Sequence, residues 1–91
     1  MAFEWDADKS ARNAGERGLP FDLALVLFDG PTLEVIDARR DYGETRIRAT
    51  GRAGDTVLTC VYTERGEARR IISLRDASRK ERHAYRQAFP E

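Results

Sequence analysis

The spacing of apolar positions changes at Leu33, and the change separates a mainly helical opening from a strand-rich remainder. "AFEW" at 2–5 predicts a short strand ended by Asp6, whose side chain can cap a helix over 7–17 that Gly18 closes. After Pro20, Phe21, Ala24, Leu25 and Phe28 recur at i, i+3, i+4 and i+7. "PFDLALVLF" therefore predicts a short second helix with a broad apolar face, stopped by Gly30 and Pro31. From Leu33 the period falls to two. "LEVID" and "ETRIRAT" alternate as half-exposed strands do, with the turn-like "RRDYG" between them. "TVLTCVYT" is apolar on both faces, with Val57 and Val61 on one and Leu58, Cys60 and Tyr62 on the other, which marks the central strand. "ARRIISL" follows after a turn at Arg65-Gly66. A capping box of Ser78 and Glu81 then opens a last helix, with Ala84, Tyr85, Ala88 and Phe89 inward and Arg79, Lys80, Arg82 and Arg86 outward.

The predicted order is strand, two helices, four strands, helix. Consecutive strands joined by short turns pair antiparallel and amphipathic helices must cover the sheet, so the fold class is α+β, a small antiparallel sheet with flanking helices. With 91 residues the chain is expected to form one domain, 1–91. No apolar run reaches the roughly 18 residues of a membrane span, and "MAFEWDADK" lacks a basic start followed by a hydrophobic stretch. A soluble, cytoplasmic protein is expected. The single cysteine, Cys60, can form no intrachain disulfide and reads as a buried, inert thiol.

Net charge is zero, but it is unevenly spread. Residues 1–44 carry ten acids against five bases, whereas residues 45–91 carry eleven bases against six acids. The split predicts a basic surface built by the second half and an acidic first half, including Glu34, Asp37, Asp41 and Glu44, able to meet a basic partner. Two uniformly solvated halves are the plainer alternative.

There is no glycine-rich phosphate loop, no Cys-x-x-Cys pair and no His-x-x-x-His spacing, so neither a cofactor nor a metal is expected. His83, the lone histidine, reads as a surface residue or, more sharply, as a phosphate contact or general acid. The concentrated chemistry lies in "YTERGEARRIIS" and the last helix. If Gly66 takes the left-handed third place of a three-residue loop, residues of even number share a face, and Tyr62, Glu64 and Arg70 stand together. A two-residue loop would set Arg70 opposite Val61 and break up that cluster. A carboxylate, a phenol and an arginine on one face suit RNA cleavage without a metal: Glu64 as base, Arg70 with Arg75 or Arg79 stabilising the phosphorane, Tyr62 orienting or stacking on a base. An exposed Glu64–Arg70 ion pair, worth at most about 1 kcal/mol, is the structural alternative.

The order of these pieces adds a resemblance. "FEWD" with Lys9 and Asn13, then "RGLPF", "LFDGP", "DYGETR", "VYTERG", "RIIS" and "RDASRKERHAY", running from Phe3 to about Tyr85, closely resembles the BrnT family. These are the ribonuclease halves of BrnT/BrnA type II toxin-antitoxin pairs. The resemblance implies a RelE-like fold, metal-independent cleavage of RNA, and neutralisation by a BrnA-like ribbon-helix-helix antitoxin. Operator DNA would be reached only through that antitoxin, in a hetero-oligomer. It maps Glu64 and Arg70 onto positions linked to toxicity, and Arg17 onto the place of a family histidine, so the catalytic set reads Glu64, Arg70, Tyr62 and Arg17. Arg65, Arg75, Arg79, Lys80, Arg82 and His83 are the expected RNA contacts. Glu16 and Arg17 replace a Lys-His pair of the family, a departure that points to the competing reading, a catalytically weak RNA-binding or corepressor protein.

Overall fold

The computed structural model describes residues 2–38, 41 and 43–90. Its elements run β1 (Ala2–Trp5), α1 (Ala7–Arg17), α2 (Leu23–Leu27), β2 (Leu33–Ile36), β3 (Ile47–Ala53), β4 (Thr56–Arg65), β5 (Ala68–Asp76) and α3 (Arg79–Ala88), the order read from the sequence. The turn expected over 39–43 falls partly on Arg39, Arg40 and Tyr42, which lie outside the described residues. No helix among the described residues is long and apolar enough to cross a membrane.

Local chemistry sets the element ends. Asp6 Oδ1 accepts from the amides of Asp8 and Lys9 at 2.9 and 3.2 Å, which starts α1, and Gly18 at φ 70° ends it. Those amide bonds hold the Asp6 carboxyl below its ordinary value. Ser78 and Glu81 form both halves of the capping box on α3. Four strands pair antiparallel in the order β5-β4-β3-β2, with β4 central as its two-sided apolar pattern requires. β1 joins the outer side of β5 in parallel, so the first and last strands are neighbours. That pairing ends at Ile71, and beyond it Asn13 of α1 donates its Nδ2 to Leu74 O at 2.9 Å and Leu19 O at 2.6 Å, binding helix to sheet edge.

One sheet face, the α2 face, carries the main core of Phe21, Ala24, Leu27, Ala49, Leu58, Cys60, Tyr62, Ile71 and Leu74. Cys60 is fully buried there, and burial pushes its thiol up to about 12. The other, the α3 face, holds a smaller cluster of Val57, Ala77 and Tyr85 with Leu33 and Phe89 against it. Two helix faces differ from the periodicity reading. In α2 the buried pair is Ala24 and Leu27, while Leu25 is 45% exposed. The cause is Gly51 on β3: a Cβ there would stand 2.9 Å from Leu27 Cγ, so the glycine admits Leu27 and fixes how the helix rolls. In α3, Tyr85 and Phe89 pack inward with ring centroids 5.2 Å apart, but Ala84 and Ala88 are exposed, because the helix covers only one end of its face.

The β4–β5 hairpin follows neither anticipated register. Its strands meet at Arg65 opposite Ala68, leaving Gly66 and Glu67 as a two-residue turn with Gly66 at φ 60°. A glycine of positive φ at the first turn position matches the twist of the strands, which is why the turn sits there. Arg70 thus faces Thr63 and Arg69 faces Glu64. A bulge at Ile72 then shifts the register, so that Ser73 faces Val61 and Leu74 faces Cys60.

Candidate nucleic-acid interface

Directly opposed residues share a sheet face, so the register assigns every candidate side chain. On the α3 face, three cross-strand rows lie in sequence: Glu4, Arg70 and Thr63; then Ser73, Val61, Arg48 and Val35; then Arg75, Thr59, Thr50 and Leu33. The hydrophobic cluster under α3 begins in the third row at Leu33 and continues beyond it at Val57. Arginines from two strands, β3 and β5, therefore stand on one face beside the start of α3, where Arg79 and Lys80 are exposed. Lys80 lines a shallow depression with Leu33, Val35, Arg48 and Thr50, alongside Glu81.

Two carboxylates join these cations. Glu4 Oε1 lies 3.9 Å from the Arg70 guanidinium, and both side chains are part-exposed. Glu81 is held harder: Arg75 donates to its two carboxylate oxygens at 2.7 and 3.0 Å, and the Ser78 amide donates at 2.8 Å. The Arg75 fork, reinforced by the Ser78 amide, lowers the Glu81 carboxyl from 4.5 to about 2 despite the opposing effect of burial. Arg48 Nε approaches the same carboxylate only to 3.9 Å.

The expected catalytic set is divided between surfaces. Glu64 is exposed at the end of β4, and Tyr62 shares its face, opposite the face of Arg70. Tyr62 is 1% exposed, its hydroxyl donates to Glu34 at 2.5 Å, and burial followed by that carboxylate raises the phenol's pKa. Its ring lies between Phe28, edge-on at 5.3 Å, and the Arg69 guanidinium, 4.7 Å from its centroid. A base has no exposed ring to stack on. Arg17 lines a shallow groove with Lys9, Arg12, Asn13, Ile72 and Ser73, whose lining does not include Glu64 or Arg70. Among the expected RNA contacts, Arg65 reaches toward Glu44 at 3.9 Å and Arg82 donates to Ala77 O at 2.6 Å, while Arg79, Lys80 and His83 are exposed on α3. Of the acidic residues, Asp37 is only 5% exposed, whereas Glu34 is exposed and accepts from Tyr62 and Thr32.

Sequence reasoning passed over Arg48 and Glu4 on the α3 face and Arg69 on the other. Alternation in "ETRIRAT" placed Arg46 and Arg48 on one strand face, but nothing local said which face it was. Among the described residues no group of three or more His, Cys, Asp or Glu is arranged to hold a metal ion.

The sequence model of the family described as "Ribonuclease toxin, BrnT, of type II toxin-antitoxin system" matches residues 5–81. The chain belongs to the BrnT family. As a BrnT-family toxin it belongs to a type II toxin-antitoxin system, in which an antitoxin is the partner and RNA the target, and ribonuclease activity is the family's activity. The match runs from Trp5, the last residue of β1, through the first turn of α3, and so includes β3 and β5, which carry Arg48, Arg70 and Arg75, while Glu4 lies just before it. No curated protein matches this BrnT-family chain.

Proposed function

We propose that this toxin cleaves RNA on the α3 face of its sheet without a metal ion, inhibits translation and growth, and is neutralised by a BrnA-like ribbon-helix-helix antitoxin. The observation that carries the reading is the Glu4–Arg70 pair among the arginine rows, a carboxylate beside a permanent cation on an accessible surface. In the proposed step Glu4 takes the proton of a ribose 2′-hydroxyl, and the 2′-oxygen attacks the adjacent phosphorus. The bond to the 5′-oxygen breaks and that oxygen takes a proton from water, leaving a 2′,3′-cyclic phosphate and a 5′-hydroxyl. Arg70 stabilises the extra negative charge of the phosphorane, the part a metal ion would otherwise supply. Glu4 takes the role first read for Glu64 because it shares a face with Arg70. Cleavage of RNA in EDTA, with end-group analysis, tests the reading; metal-dependent cutting that leaves 5′-phosphates would refute it.

A second reading, an RNA-binding or corepressor protein with feeble catalysis, is favoured by the burial of Tyr62 and the place of Glu64 on the face opposite Arg70. Tight RNA binding without cleavage in the same assay would select it.

A further inference from the structure

We infer that Arg48 binds an RNA phosphate on this face beside the Arg70 site, while Arg75, its neighbour, is withheld from RNA by Glu81. The inference rests on the reading of the α3 face as the RNA surface and assigns the work within it.

An arginine recognises a phosphate best when two N–H groups of its planar fork point at two oxygens together. The terminal nitrogens of Arg75 already make that contact with both oxygens of Glu81, and one of them also donates to Asp76 O at 3.3 Å. Glu81 is in turn fixed by the Ser78 amide, so the carboxylate is part of the start of α3 rather than a loose counter-ion. Three of the five N–H donors of Arg75 are thus taken within the fold, and the Glu81 carboxylate offsets its charge. Arg48 stands differently. Its closest approach to Glu81, from Nε, is 3.9 Å, beyond hydrogen-bond range, and its terminal pair carries no hydrogen bond among the described residues. It projects from the middle row, opposite Val61 and one row from Arg70, with Lys80 at its side. The Glu81 carboxylate thus leaves Arg48 with its fork free and ties Arg75 to the fold.

Salt dependence separates the two arginines, because each phosphate contact to single-stranded RNA adds about 0.7 to the slope of log K against log salt. The measurement is equilibrium binding of a 2′-O-methyl oligoribonucleotide, which lacks the attacking hydroxyl, to the full chain over a salt series. Arg48→Ala should flatten the slope by about 0.7 with little change in melting temperature. Arg75→Ala should melt earlier and, below its melting temperature, keep the wild-type slope. Glu81→Gln retains a side-chain acceptor for the Ser78 amide but weakens the hold on Arg75, so its slope should steepen. An unchanged slope in Arg48→Ala, or no steepening in Glu81→Gln, would overturn the inference; the latter decides the matter if Arg75→Ala does not fold. A wild-type affinity indifferent to salt would overturn the RNA reading of this face and the inference with it. A salt-dependent wild type with an unaltered Arg48→Ala slope would overturn the inference alone.

Discussion

Replacing Glu81 by glutamine should remove a pH-dependent part of this protein's stability, and the structure sets both its size and its sign. The carboxyl lies at about 2 in the folded chain against 4.5 as its ordinary value. At about 1.4 kcal/mol per unit that shift would correspond to about 3 kcal/mol. Arg75, its main partner, is 31% exposed, so water and salt screen the pair and an observable contribution of about 1 to 2 kcal/mol is the better figure. Because the folded value is depressed, the contribution is complete above 4.5 and is lost as pH falls from there toward 2, where Glu81 protonates in the folded state as well. Urea denaturation of wild type and Glu81→Gln from pH 7 to 2.5 measures it. The difference between the two should be about 1 to 2 kcal/mol at neutral pH and most of it should disappear by pH 2.5. Asp6 is common to both proteins and cancels in the difference. A stability gap that stays constant over the whole range would show that the Arg75–Glu81 pair contributes nothing as an ion pair.

Other expectations concern the site and the frame around it. Glu4→Gln should reduce RNA cleavage by about a hundredfold or more, as loss of a general base does, whereas Glu64→Gln should leave most of it; the reverse order, in single-turnover cleavage, would return the base to β4. Asn13→Ala leaves the carbonyls of Leu19 and Leu74 without their side-chain donor and should cost about 1 to 3 kcal/mol by chemical denaturation, with a stability equal to wild type excluding the role assigned to this contact. Gly66→Ala must hold an L side chain at φ 60° and should destabilise by about 1 kcal/mol or more; a neutral result would contradict the turn described for the hairpin.

The sequence by itself determined the elements of this protein, because their signals are local. Asp6, Gly18 and the Ser78–Glu81 box cap or end helices through bonds within a few residues, and the apolar run around Cys60 requires a strand buried on both sides. The ordered motifs from "FEWD" to "RDASRKERHAY" likewise carried the resemblance to the family that residues 5–81 match. The site was less legible, for a geometric reason. A one-residue change in where the Gly66 turn closes moves every following side chain of β5 to the other face, and the bulge at Ile72 shifts the register again. Only the folded sheet therefore decided that Arg70 stands with Glu4 rather than with Tyr62 and Glu64. The same holds for Tyr62, whose place in the core depends on Phe28 and Glu34, distant in sequence. It holds again for Arg48 and Arg75, two similar side chains that differ because α3 brings Glu81 within hydrogen-bond reach of one fork and not of the other.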